Sequence, residues 1–438
     1  MDANKTLYLG VARKDITPPL GSRLFGYNDH TLADGVHDRL HATAMYFISG
    51  EVKTILINVT VCEMQTALSD RIRAKVAEAI GITKEAVIFS ATHTHTAPTV
   101  MTMFGWGDID TEYVEAIFEP QILEAALEAA KEPVPVTMGV AAGTSLAGIN
   151  RRELRMDNTI GLGQNPWGPF NPEMTVASFK NENGEVIANM IHYGAHATSA
   201  GLCTRISRDW PGVMTDRLEK ISGGLTVFLQ GAAGDVGPRL ANGRTTSGTL
   251  DPDAAMECAM EHGSFAAQDA VRIFKSIRKY EAVDVAVCSR EIKLPLQPRI
   301  SEKEAEEGYA EYEGSTGGWK AYRLQYYKDV KNAYQTGKAE RTHETFEQSV
   351  VRIGDFALVC FPYEMFSEIS MRVSGASKVP YTVSVCYTNG AESYFATEAA
   401  RCRGGYEVYA HECIGDQLRV PNADWYLVTE TVKNLEQL

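Results

Sequence analysis

The sequence has 438 residues, 44% hydrophobic and 22% charged, so a large core is available and disordered or fibrous classes are excluded. A formal net charge of -14 argues against a nucleic-acid-binding face, because phosphate binding needs clustered positive charge. No run approaches the roughly 18 uninterrupted apolar residues of a membrane span, and no basic-then-apolar leader opens the chain, so a cytoplasmic protein is expected. Eight cysteines are scattered without a CxxC pair, several in apolar runs such as Ala-Leu-Val-Cys360-Phe. They read as small buried hydrophobes in a reducing compartment.

Residues 5–16 predict an opening strand, closed by Thr17-Pro-Pro19, and a loop with Gly26-Tyr27 follows. Two strands at about 40–48 and 53–61 form a hairpin through Ser49-Gly-Glu-Val. Leu68, Ile72, Val76 and Ile80 share one face of a helix over 68–80. A β-branched and aromatic run, Val87-Ile-Phe89, leads into His93-Thr-His95. If the strand continues that far, alternation points both imidazoles to the same side. Such a pair is a metal site or an acid–base site, against the blander alternative of two hydrogen-bonded histidines. The costs of burying two imidazoles favour the site.

Residues 111–131 read as a helix in which Pro120 kinks or restarts the turn. Strands follow at 134–142 and, around an Asn-Glu-Asn-Gly turn, within 174–193, delivering His192 and His196 at the far end. A helix over 211–221, a strand over 224–230, a helix over 253–276 and a strand over 282–294 come next. Residues 301–340 are rich in Glu, Lys and Tyr and read as a solvated helical excursion broken near 314–318. A hairpin over 347–361, a helix over 364–373, a strand over 381–387 and a helix over 423–437 complete the chain. Strands and helices mix throughout, with no repeat or obvious linker. The expected class is α/β, with mixed β-sheets flanked by helices in a single domain over 1–438, the charged excursion lying at about 300–345.

Four apolar strands end in Gly, Pro and a polar group: at His93-Thr-His95, at His192…His196, at Gly234-Asp235 and at Pro362-Tyr-Glu364. Strand ends are where scaffolds present reactive groups to a cleft. Two or three imidazoles and a carboxylate make the ligand set of a catalytic zinc. Each also has a local alternative: His196 as a helix cap, Glu364 in a first helical turn, Gly234-Asp235 as a plain turn. A His-x-His also opens the metal site of amidohydrolase-type barrels, but those want it near the chain start with regular strand–helix alternation afterwards.

With these pieces in order, the sequence resembles the catalytic domain of neutral (non-lysosomal) ceramidases and their shorter bacterial relatives. The matching stretches are Gly10-Val-Ala-Arg-Lys-Asp-Ile-Thr-Pro18, Gly26-Tyr27, Ala91-Thr-His-Thr-His-Thr-Ala-Pro98, Asn150-Arg151, His196-Ala-Thr-Ser199 and Arg208-Asp209…Gly212. They continue through Gln230-Gly-Ala-Ala-Gly-Asp-Val-Gly-Pro238, Phe361-Pro-Tyr-Glu364, Asn389…Tyr394-Phe-Ala-Thr397 and Tyr406-Glu407. The resemblance implies zinc held by His93, His196, Glu364 and Tyr394, with His95 in proton transfer. It makes Arg151 a substrate-orienting group, Tyr406 a hydrogen-bond donor to the carbonyl oxygen, and Asp235 a further catalytic candidate. Asp209 and Gly237, with Arg151, become candidate substrate contacts.

The implied reaction is attack of zinc-activated water on an amide carbonyl, the zinc bringing the pKa of that water towards roughly 7. The implied substrate is a small molecule, a lipid amide or something sugar-like. Where the family's Gly-Asp motif continues into a serine, this sequence has Gly237. The family's secretory leader and C-terminal immunoglobulin-like domain are expected to be missing. A metal-dependent hydrolase or lyase acting on a carbohydrate is therefore the alternative on the same scaffold. The stretch 99–107, with Met101, Met103, Phe104 and Trp106, lines an apolar pocket beside the metal or packs as a core loop.

Overall fold

The computed structural model describes residues 6–103, 106–243, 251–315, 318–411 and 415–438. Phe104, Lys5, Cys413 and the centre of the 314–318 break lie outside them. Eight strands form the main sheet: β1 (Leu7–Asp15), β2 (His41–Ser49), β3 (Val52–Val59), β4 (Val87–Ala91), β5 (Val134–Thr144), β6 (Glu173–Asn181), β7 (Val186–Tyr193) and β8 (Leu225–Gln230). Their order is β8-β7-β6-β5-β1-β2-β3-β4, antiparallel in the middle and parallel at both edges, where β7 pairs with β8 and β3 with β4. A second sheet joins β9 (Val285–Pro295), β10 (His343–Ile353), β11 (Phe356–Cys360) and β12 (Tyr381–Val385), the last pair again parallel.

Period-two alternation sorts the residues between cores. On β2, Met45 and Phe47 join an apolar cluster that includes Phe179 of β6 and Phe356 and Leu358 of β11, so the two sheets share one core. Ala42, Ala44 and Tyr46 face the other way, into a cluster with helices α1 (Thr66–Ile80) and α2 (Glu119–Lys131). Helices α3 (Asp209–Ser222) and α4 (Pro252–Ser276) cover β6, β7 and β8 through Trp210, Met214, Ala266 and Ile273. The main sheet curls strongly: Asn58 of β3 donates to Phe228 O of one edge at 2.8 Å and to Ser90 O of the other at 3.3 Å.

The charged excursion forms α5 (Glu302–Tyr312) and α6 (Gly318–Thr336). It is not simply a solvated face. Tyr322, Tyr326 and Val330 are buried, and Tyr322 enters the same cluster as Tyr406. After it come α7 (Ser367–Ala376) and α8 (Ala423–Leu435). At Pro120 the helix restarts: α2 begins at Glu119 with the proline in its first turn. A wider π-helical turn over Val114–Phe118 precedes α2 and absorbs the missing N–H. Among the described residues, no helix is long and apolar enough to cross a membrane. Seven described cysteines are unpaired; Cys62, Cys203, Cys360 and Cys386 are buried, whereas Cys402 is exposed.

The carboxyl ends of the three parallel pairs come together. Ala91 N donates to Tyr387 O, Cys386 N to Gln230 O and Phe89 N to the Asn389 side chain, tying the ends of β4, β8 and β12. Loops leaving such ends carry ligands in α/β sheets. The site lies there.

Candidate metal centre

His93 and His95 follow β4, but alternation does not bring them together. The strand ends at Ala91, and His93 takes a left-handed backbone with φ 63°. Its amide donates to Val61 O, and the turn swings its ring towards Cys62 and Glu63, just past β3. His93 Nδ1 lies 3.2 Å from Cys62 O. His196, beyond β7, has the same arrangement, with Nδ1 3.1 Å from Val236 O. It does not cap a helix; its carbonyl accepts from Trp210 Nε1 in the first turn of α3. A carbonyl only accepts, so both Nδ1 atoms carry the proton and both Nε2 atoms present a lone pair.

Those lone pairs converge on Glu364. Its Oε2 lies 3.1 Å from His196 Nε2 and 3.5 Å from His93 Nε2. Glu364 is not in a first helical turn. It sits in a short strand, Tyr363–Met365, that runs parallel to Ser393–Phe395 with Glu364 opposite Tyr394. All three donors are buried, and their ligand atoms fall within 4.8 Å of one another. Electron pairs gathered this closely away from water repel unless a cation lies between them, so the donor set fits a divalent metal. Burial holds both imidazoles well below the usual histidine pKa, which keeps them neutral and able to ligate.

Arg151 closes the other side. Its Nη1 lies 3.0 Å from His196 Nε2, its Nη2 donates to Tyr394 Oη at 2.9 Å, and its Nε donates to Glu407 Oε1 at 3.0 Å. Glu407, almost fully buried, is shared with Arg152, whose Nη1 donates to Oε2 at 2.6 Å. Burial opposes the charge on Arg151, but Tyr394, Glu407 and Glu364 outweigh it and hold the guanidinium protonated. The Tyr406 ring lies edge-on to Tyr394 at 5.7 Å. Burial, followed by Glu364 at Tyr394 and by Tyr322 at Tyr406, pushes both phenols well above their usual value.

His95 Nε2 is 3.3 Å from His93 Nε2, and burial, then His196, pushes its imidazole down to about 3. Tyr27 meets the His95 ring edge-on at 5.0 Å, and Trp106 at 6.3 Å with Phe25 behind it. Of the stretch 99–107, Trp106 supplies one of these contacts, and Met101 is buried. Gly26 explains its own place in the motif: φ is 130°, and a Cβ there would lie 2.4 Å from the His95 ring.

Three of the expected residues do other work. Both Asp209 oxygens accept backbone N–H groups, from Ser199 and Ala200, so Asp209 braces the loop after His196. Asp235 accepts from Ser367 N, Ser367 Oγ and Asn150 Nδ2, which makes it a brace behind the site. Burial pushes its carboxyl up to about 7, against the Ser367 hydrogen bonds. His192 points between the sheets and bonds Ser384 O at 2.9 Å. Gly237 pairs with Ile149, and a Cβ on it would meet Arg151 Cβ at 3.6 Å, an ordinary contact.

The sequence reading also missed residues. Glu63 is buried with Oε1 3.8 Å from His93 Nδ1, and burial together with Glu364 pushes its carboxyl well up. Glu407 and Tyr387 are likewise part of the site. Glu407 stood in a quoted motif without a role; nothing in the local pattern marked Glu63 or Tyr387.

A family model described as neutral/alkaline non-lysosomal ceramidase, N-terminal, matches residues 7–275. The solved neutral ceramidase from Pseudomonas aeruginosa is 21% identical with a TM-score of 0.74, the match covering 99% of this chain and 75% of that one. A structure described as ceramidase complexed with C2 is 18% identical with a TM-score of 0.71, covering 99% and 76%. At these identities the structures speak for the fold. A search of curated proteins finds no match. The family model spans well over half of the sequence, and this chain belongs to the neutral/alkaline non-lysosomal ceramidase family of hydrolases.

Proposed function

We propose that this protein is a zinc-dependent hydrolase that cleaves an amide (N-acyl) bond in a small-molecule substrate. The observation that carries this reading is the meeting of His93 Nε2, His196 Nε2 and Glu364 Oε2 beside the Arg151 guanidinium. In this reading His93, His196 and Glu364 hold the metal, and Tyr394 completes the set from its register opposite Glu364. Zinc bound there supplies a polarised carbonyl and a water acidified to a pKa near roughly 7.

The chain's own groups do the rest. Arg151 is held by Glu407 and Tyr394, which positions its guanidinium to orient the scissile carbonyl, and Tyr406 donates to the oxygen as it gains charge. His95, neutral and packed between Tyr27 and His93, takes up the proton released by the attacking water and passes it to the departing nitrogen. Phe25, Tyr27 and Trp106 form an apolar wall beside His95, which supports a lipid amide. Unpaired cysteines support a reducing, cytoplasmic setting. Gly237 favours one second reading, a metal-dependent hydrolase or lyase of carbohydrates, because the family's serine hydroxyl is missing beside Arg151.

Elemental analysis of wild type and His196→Ala tests the centre: about one zinc per chain is expected, lost in the variant. Metal-free wild type would refute it. Short- and long-chain N-acyl sphingosines assayed beside a panel of glycosides separate the two substrates. Turnover of glycosides without amides would retire the amidase reading.

A further inference from the structure

His93 has a neighbour that the proposed chemistry does not use. Tyr387, two residues past β12, lies flat on its imidazole, with ring centroids 4.0 Å apart and planes 11° apart. The backbone repeats the link: Tyr387 O accepts from Ala91 N at 3.2 Å, two residues before His93. Both residues hold left-handed conformations, φ 51° at Tyr387 and φ 63° at His93, and Asn389 adds a third at 57°. Non-glycine residues stay in that region only where the surroundings over-determine them, and such places cluster at functional sites.

We propose that Tyr387 is a positioning residue of the metal centre, whose ring fixes the plane of His93 so that Nε2 stays aimed at Glu364. The inference rests on the reading that His93, His196 and Glu364 hold a divalent metal. The hydrogen bond from Nδ1 to Cys62 O fixes one atom of the imidazole and leaves its plane free to tilt. The parallel ring removes that freedom. Tyr387 is 2% exposed and its hydroxyl has no hydrogen-bond partner among the described residues, so the ring face is the working part.

The test uses the full chain as wild type, Tyr387→Phe and Tyr387→Leu. Each is stripped of metal and titrated with zinc against a chromophoric chelator, and the melting temperature of the metal-free form is recorded beside it. Tyr387→Phe keeps the stack and is expected to match wild-type zinc affinity. Tyr387→Leu is expected to lose about 10- to 100-fold, as when a group that orients a ligand is removed. A merely structural role would lower the melting temperature and leave zinc affinity unchanged, which would overturn the inference. So would an equal loss in Tyr387→Phe. Should Tyr387→Leu fail to fold, Tyr387→Met is read in the same way. Wild type that takes up no zinc sinks the metal-centre reading and this inference with it. Zinc held equally by all variants overturns this inference alone.

Discussion

His93 and His95 stand in one tripeptide and meet different surroundings. The His93 Nδ1 is committed to Cys62 O and its Nε2 faces Glu364, whereas His95 faces Tyr27, Trp106 and the edge of His93. His93→Ala should therefore lose the metal, while His95→Ala should keep it and lose turnover; paired metal analysis and rate measurements read this directly. Gly237 makes a different prediction. A Cβ there meets only Arg151 carbons at ordinary contact distance, so Gly237→Ser should fold without a backbone clash, its thermal melt lying close to wild type. If a hydroxyl is all that separates this enzyme from ceramide hydrolysis, the same variant should gain it. Asp235 behaves as a brace: Asp235→Ala orphans donors from Ser367 and Asn150 and should cost about 1–3 kcal/mol in denaturant unfolding, with metal retained.

Elements explain why some residues of the candidate site are legible in the sequence and others are not. Glu364 stands where a helix start is expected because α7 follows closely, yet it is the middle residue of a three-residue strand that aligns it with Tyr394. That pairing joins segments thirty positions apart in register, and nothing local announces it. The α5–α6 excursion is helical as its pattern suggests, but only part of it is a solvated face. Its charges suggested solvent, while its tyrosines pack Tyr322 against the Tyr406 neighbourhood.

Both ends of that excursion are pinned to Asp416, by Arg299 Nη2 at 2.5 Å before α5 and by Lys338 Nζ at 2.7 Å after α6. Burial works against the Asp416 charge, but Lys338 and Arg299 outweigh it and hold the carboxyl below the usual aspartate value. The folded-state pKa thus lies below the unfolded one, about 3.9. The contribution is full above that value and is lost as pH falls through the folded pKa. Asp416→Asn should cost about 3–5 kcal/mol at neutral pH, because Arg299 is left buried and unpaired, and should flatten the acid side of the stability profile. Denaturant melts at a series of pH values below neutrality check both parts.

At the scale of the molecule, the two sheets share one apolar core, which lies below the strand ends that carry the proposed ligands. Leu358 lies in it, buried on β11, six residues before Glu364. Leu358→Ala should cost about 2–5 kcal/mol by opening a cavity between the sheets, while the zinc content of the folded fraction stays at the wild-type level. Calorimetry and elemental analysis on the same sample distinguish the two effects.

By itself the sequence determined the elements and the chemistry of their ends. Alternation and helical spacing are local, so β2, β3, α1 and α4 are legible from residue pattern alone, as are the imidazoles and carboxylate waiting after strands. The tertiary structure decided which of those ends meet. Parallel pairing of β3 with β4, β7 with β8 and β11 with β12 gathers three carboxyl ends at one place. It selects His93, His196 and Glu364 and turns His192, Asp209 and Asp235 to packing and bracing. It also brings in Glu63 and Tyr387, residues without a motif, because proximity across strands depends on register and on left-handed turns that no residue type in this stretch of sequence specifies.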